Sequence, residues 1–352
     1  MPKINIIYLL PELKNASGGA KVIYNHSLIL NNCNQILSSK VLHLKKSFIY
    51  KLETSLSKKI KIFKHNASGW NAKKMIVSRN FLPGKSWYDK KVNLESKLNF
   101  NSEEDFIIIP EIWAHFANDL KLAEKKIKYS IFVQGSFHMT SSDDFKRIKI
   151  AYENAEFIIT TSAYSLDFIK SIFPKIKNKI LKINLHVGIS EKLRKTSKKN
   201  FITCFPRKLP SHFHLLRFYL NDKLPKNWKL DPILNVSNSE LRKKIIRSKI
   251  FLSFSNFEGF GLPPLEAALL GNKIIGYDGG GGSEYWKEPI FTKIEQGEIY
   301  KFGEKIIKNI KNYDSNWLNN TKKQRQNLIK KYSLNSEKKS LVKLSKKIIK
   351  LY

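Results

Sequence analysis

Short apolar runs, each closed by a polar or glycine-rich break, alternate along the chain with segments whose apolar positions fall at helical spacing. The first run, Ile4-Asn5-Ile6-Ile7-Tyr8-Leu9-Leu10, stops at Pro11 and reads as a strand. After Gly18-Gly19, residues 20–30 carry Val22, Ile23 and Leu30 at roughly helical intervals, which predicts a strand–glycine loop–helix unit. Residues 38–103 hold a weaker pattern, with strands expected at 41–44 and 74–77 and loops around Gly69 and Pro83-Gly84. Regular alternation returns at 106–109, apolar at every position, as strands buried on both faces are. A helix is expected from Pro110 through Leu122, then strands at 130–133, 157–160 and 180–183 separated by helices at 144–155 and 164–173. The lysine-dense, aperiodic stretch 193–200 is expected to end a linker. A second set follows, with strands at 201–204, near 228–230, at 250–254 and at 273–277, and helices near 211–220 and 239–247. Leu341, Leu344, Ile348 and Leu351 mark one face of a terminal helix with lysines opposite. Strands alternating with helices over this length imply an α/β protein with doubly wound parallel sheets, whose ligands gather at the strand carboxyl ends.

The most informative stretch is Asn256-Phe257-Glu258-Gly259-Phe260-Gly261-Leu262-Pro263-Pro264-Leu265-Glu266-Ala267-Ala268. An apolar strand feeds a glycine turn, and a helix opens at the proline pair, where the missing amide hydrogens would have no intrahelical partner. Gly259 and Gly261 allow a sharp turn and a close approach to a ligand. A helix N-terminus there suits phosphate. Glu258 sits before the turn and Glu266 about one helical turn beyond it, and carboxylates beside a phosphate site accept hydrogen bonds from hydroxyls. Two such acids around a phosphate-ready helix end suggest a nucleotide sugar; an ordinary strand–turn–helix with surface glutamates is the bland reading of the same spacing.

Glu258, seven intervening residues and Glu266, with Gly-Phe-Gly-Leu-Pro inside, resemble the E-x7-E signature of retaining glycosyltransferases of family-4 type with the GT-B fold. The resemblance is clearest from about 201 to 290. It implies two Rossmann-like doubly wound domains facing across a cleft: an acceptor domain at 1–190, a donor domain at 191–334, and a helix at 335–352 crossing back to the first. By resemblance, Glu258 contacts the donor sugar and Glu266 the nucleotide ribose, with Gly259, Phe260, Gly261, Leu262 and Pro263 shaping the donor loop. Gly18 and Gly19 match a Gly-Gly loop that faces the donor phosphate. Gly280 and Gly281, in Asp278-Gly279-Gly280-Gly281-Gly282-Ser283-Glu284, match a Gly-Gly-x-x-Glu loop; they line the ligand site or form a flexible lid. Arg207 and Lys208 follow a strand at its carboxyl end and are placed to neutralise a departing diphosphate. Relatives often carry that arginine and lysine five positions apart, whereas here they are adjacent and position 212 is His212, which leaves the part of Lys208 open. Among the histidines, His138 is nominated for the catalytic place relatives fill in the first domain, with His115 and His26 competing.

Composition changes the picture in two places. At 352 residues, 42% of them hydrophobic, the chain has room for two cores, and no apolar run reaches the roughly 20 residues that span a bilayer. Only Cys33 and Cys204 occur, so neither a disulfide framework nor a cysteine metal cluster is expected, and a cytoplasmic enzyme is the simplest fit. The charge is extreme, 64 basic residues against 29 acidic for a net +35. Residues 38–100 hold 15 basic residues and three acids interleaved with Phe48, Tyr50, Phe63, Trp70, Phe81, Trp87 and Tyr88. That stretch is either a solvated surface or a face for an anionic membrane or lipid acceptor, peripheral at an inner membrane. Abundant lysine, isoleucine and asparagine also fit the codon drift of an AT-rich genome. The chain has no Asp-x-Asp pair to hold a metal on a diphosphate, so no metal or other cofactor is expected. The expected partners are a nucleotide-sugar donor and a glycan or lipid-linked acceptor of polysaccharide biosynthesis. The alternatives are a catalytically silent glycan-binding relative and a basic nucleic-acid-binding protein, for which no motif is visible.

Overall fold

The computed structural model describes residues 3–13, 17–47, 70–78, 88, 90–188, 197–234 and 236–352. The expected loops around Gly69 and Pro83-Gly84, most of the basic aromatic stretch, and 193–196 of the expected linker lie outside the described residues. The chain forms two compact units, Met1–Ile183 with Glu337–Tyr352, and Asn184–Ser336. No helix among the described residues is long and apolar enough to cross a membrane.

The first unit is built on β1 (Ile4–Pro11), β2 (Leu37–Lys46), β3 (Met75–Val77), β4 (Asp105–Pro110), β5 (Lys128–Val133), β6 (Phe157–Thr160) and β7 (Ile180–Lys182), in the order β3-β2-β1-β4-β5-β6-β7. All neighbours are parallel except the β2–β3 pair. Every residue of β4 is buried, which accounts for its unbroken apolar run. Helix Gly18–Asn31 begins two residues before the expected start, so Gly18 and Gly19 form its first turn and not a preceding loop. Ser17 fixes that start, its Oγ accepting the Ala20 amide hydrogen at 3.3 Å. The expected helix from Pro110 through Leu122 is replaced by a 3₁₀ turn at Glu111–Trp113 and a short helix at Phe116–Asp119. Trp113 to Ala117 are all buried, and the Trp113 and Phe116 rings stack with centroids 4.7 Å apart. A segment that must hide every side chain cannot keep the polar face of a regular surface helix. In helix Leu334–Ile349, Leu341, Leu344 and Ile348 are buried as their spacing predicts.

The second unit holds β8 (Lys199–Cys204), β9 (Lys229–Pro232), β10 (Ser248–Glu258), β11 (Lys273–Gly280) and β12 (Phe291–Lys293), all parallel, in the order β12-β11-β10-β8-β9. Its core gathers Ile202, Phe213, Leu216, Ile250, Leu252, Phe254, Ile275 and Phe302. The edge strand β12 and helix Ile299–Lys311 were not distinguished in the sequence pattern. The strand order reverses direction at β8, which has β9 on one side and β10 on the other. In an open α/β sheet, the crevice beyond the carboxyl ends of two such strands is where ligands bind.

Candidate active site

Residues from the ends of β8 and β10 and the start of the following helix enclose a cavity of about 450 Å³ at that switch point. Its polar lining is Arg207, Lys208, Ser253, Ser255 and Glu258. The remainder is apolar, supplied by Phe205, Ile233, Leu234, Val236, Leu241 and Phe254 together with Pro263 and Pro264. Apolar walls with a few convergent polar groups are the usual make-up of a small-molecule site.

Each polar group is placed by local geometry. After β8 the chain makes a 3₁₀ turn, Pro206–Lys208, which exposes both cations at the strand's carboxyl end. Adjacent side chains of an extended strand would point apart, but on this turn Arg207 and Lys208 both reach the cavity wall. Lys208 Nζ donates to Glu258 Oε1, so the two predicted site residues neutralise one another. His212 does not join them; its Nδ1 lies 3.0 Å from Tyr277 Oη. Glu258 follows Phe257, whose φ of 50° is left-handed and costs a non-glycine residue roughly 1–2 kcal/mol. The register between β10 and β11 shifts between Ser255 and Glu258, the mark of a bulge that re-aims a side chain. Phe257 is exposed while Glu258 faces the cavity.

Gly261 caps helix Leu262–Leu269 with φ 79°, and no side chain satisfies the helix end. Pro263 and Pro264 remove two of the donors a helix N-terminus normally offers, leaving only the Leu262 amide among the first three helical residues. The helix dipole remains, but the two cations must supply most of the positive field. Glu266 is half-buried one turn further along and is not part of the cavity lining.

Gly259 and Gly281 are in backbone contact: a side chain on Gly281 would overlap the Gly259 carbonyl, and the Gly281 amide donates to Glu258 O at 3.0 Å. A Cβ on Gly279 would meet the Glu258 side chain at 2.9 Å. Gly279 and Gly280 continue β11, and Gly280 pairs in register with Glu258. The glycine run is therefore a bed for the Glu258–Gly259 backbone, not a free lid. Phe260 is buried and turned to Tyr285 and Tyr332, ring centroids 5.6 and 5.3 Å away.

Gly18, Gly19 and His138 belong to the first unit. A Cβ on Gly19 would meet Gln134 Oε1 at 2.7 Å, whereas Gly18 has open space around it. His138 is exposed on the 3₁₀ segment Ser136–Ser141 that follows β5. Its competitors are core residues. The His115 ring nitrogens lie 2.8 Å from Ser142 Oγ and 2.7 Å from Trp70 O, and His26 is buried 3.4 Å from Glu337. Under the His138 segment sits Glu111, unanticipated from the sequence, whose Oε1 accepts the Gly135 amide hydrogen at 3.0 Å. Burial pushes its carboxyl up to about 7, against the pull of backbone hydrogen bonds. The apolar lining of the cavity was missed too; the available signal was that Ile233 and Leu234 directly follow β9.

No protein-family model and no curated protein matches the chain in sequence. Solved structures match it in fold. A variant of TarM from S. aureus, crystallised with fondaparinux, α-GlcNAc-glycerol and UDP, is 13% identical over 99% of each chain, TM-score 0.65. A glycosyltransferase from Rickettsia africae is 14% identical over 99% of this chain and 100% of its own, TM-score 0.64. Sucrose-phosphate synthase from Thermosynechococcus elongatus is 10% identical over 99% and 100%, TM-score 0.65. The fold is that of the GT-B glycosyltransferases.

Proposed function

We propose that the chain is a retaining, family-4-type glycosyltransferase that moves a sugar from a nucleoside-diphosphate sugar to a glycan or lipid-linked acceptor. The supporting observation is a cavity at the β8/β10 switch point lined by Arg207, Lys208 and Glu258 together with apolar side chains. The base takes the apolar side chains, and Glu266, one helical turn beyond the lining, is given the ribose hydroxyls on the strength of the E-x7-E resemblance alone. The diphosphate meets Arg207, Lys208 and the Leu262 helix end. Lys208 exchanges its Glu258 partner for phosphate oxygen, which frees the Glu258 carboxylate to accept hydrogen bonds from the sugar. When the bond between the anomeric carbon and the diphosphate breaks, the electron pair leaves on phosphate oxygen. Preorganised cations at that oxygen stabilise it more in the transition state than before it. Glu258 at the same time faces the positive charge growing on the sugar. Because the sequence lacks an Asp-x-Asp pair, these side chains and no metal are given the diphosphate charge. His138 is assigned to the acceptor side. A cytoplasmic site with the basic surface against anionic lipid fits the +35 charge and a lipid-linked acceptor.

The TarM structure holds UDP, so uridine donors are the first to test. Transfer or slow hydrolysis of at least one nucleotide sugar from a panel is expected, reduced about 100-fold or more in Glu258→Gln. A binder that gives no turnover with any donor and acceptor would support the silent glycan-binding alternative instead.

A further inference from the structure

Behind the donor loop lies a chain of contacts that the chemistry above does not use. Tyr285 is fully buried, and its Oη donates to the carbonyl oxygen of Gly261, the residue that caps helix Leu262–Leu269. The same hydroxyl stands 2.8 Å from where a Cβ of Gly261 would be, so both bulk and a hydrogen bond hold Gly261 at its φ of 79°. The Tyr285 ring packs on Phe260, and Phe260 packs edge-on against Tyr332. Tyr332 is 1% exposed and donates from Oη to Glu284 Oε1 at 2.8 Å, across 48 residues of sequence. Glu284 belongs to the turn that follows the glycine bed of Glu258–Gly259. Lys331 Nζ, 3.7 Å from the same oxygen, adds charge to a carboxylate that is 6% exposed.

The far end of this chain is where the polypeptide enters and leaves the second unit. The Tyr332 carbonyl accepts the Val187 amide hydrogen at 3.0 Å, and Asn184 Nδ2 donates to Ser336 Oγ at 3.0 Å. The unit begins at Asn184 and ends at Ser336, so both crossing segments are tied to one another and, through Tyr332, to the donor loop.

We propose that Tyr285, Glu284 and Tyr332 are positioning residues which set the Glu258–Gly261 loop and carry its state to the two crossing segments, so that filling the donor cavity orders residues 184–187 and 332–336. The second half of this proposal rests on the donor-site assignment; the first does not. A buried hydroxyl bonded to a carbonyl or carboxylate gives a loop two discrete arrangements, made or broken, which is what coupling between separated segments needs. Burial keeps both phenols protonated far above their ordinary range, so each remains a donor throughout the physiological pH range.

The test is hydrogen exchange on the full chain, in wild type, Tyr332→Phe, Glu284→Gln and Glu284→Leu. Without ligand, Tyr332→Phe is expected to speed exchange at least fivefold in peptides holding Val187 and Gly281, and to leave β4 and β5 within twofold. Glu284→Gln keeps an acceptor for the phenol and is expected to follow wild type, and Glu284→Leu to follow Tyr332→Phe. Unchanged exchange at Val187 and Gly281 in Tyr332→Phe would overturn the proposal. Saturating UDP or another nucleoside diphosphate should slow Val187 exchange in wild type and not in Tyr332→Phe, although both bind it within about tenfold. Equal slowing in the two proteins would also overturn it. If no nucleoside diphosphate binds wild type, the donor-site assignment falls and the ligand-free comparison alone decides the positioning role.

Discussion

Two strand–glycine–helix junctions in this molecule look alike in sequence and differ in what their helix ends are left to do. In the first unit, β1 leads to helix Gly18–Asn31, and the Ser17 hydroxyl already accepts one of the first-turn amides. In the second, β10 leads to helix Leu262–Leu269, capped by a left-handed glycine, so no capping side chain accepts a first-turn amide. There the surroundings are a carboxylate, two cations and a cavity. A glycine-marked helix start is thus only a permissive feature. Whether the end is satisfied internally, and what charge the neighbouring strand brings, decides whether it is built for a ligand.

The glycines should respond to substitution in opposite senses. Gly281→Ala drives a methyl group into the Gly259 carbonyl and dislodges the Glu258 loop. A loss of about 3 kcal/mol or more in urea unfolding is expected, with nucleotide affinity lost alongside. Gly18→Ala, with open space and a helical conformation, should gain about 0.5–1 kcal/mol in the same assay. Equal effects at both positions would erase the distinction between the two junctions.

Glu111 sharpens the comparison from the acid side, since the first unit buries a carboxylate where the second pairs one with lysine. Its folded carboxyl titrates near 7 and the unfolded one at the ordinary glutamate value near 4.5, so the folded state binds the extra proton between those pH values. Stability should therefore fall as pH rises from 4.5 to 7 and level off above, a loss of up to about 3 kcal/mol. Glu111→Gln should be near wild type at pH 4.5 and more stable than wild type at pH 8 by up to that amount, as read by urea unfolding at both pH values. Ser17→Ala is expected to lose about 1 kcal/mol from one missing cap, visible as a lower urea midpoint with nucleotide binding intact.

Much of this was legible locally. The apolar runs located eleven of the twelve strands among the described residues to within a few residues at one end or both, and the spacing of Glu258 to Glu266 pointed to the switch strand that borders the cavity. What escaped detection depends on partners distant in sequence. Nothing near Gly281 announces the Gly259 backbone it lies on, and nothing near Tyr332 announces Glu284. The helix expected after Pro110 failed because a run buried on all sides has no polar face to report its period. Lys208 was doubtful under the rule for extended chain and became a cavity residue because a 3₁₀ turn replaces the extended geometry.

The central claim is that Arg207 and Lys208 bind a diphosphate beside an apolar nucleoside site. It is tested most directly by calorimetric titration of uridine and UDP into wild type, Arg207→Ala and Lys208→Ala. The account predicts that UDP binds wild type at least 100-fold more tightly than uridine, and that each substitution cuts the UDP affinity about tenfold or more without changing that of uridine. UDP affinity unchanged in both variants would contradict it.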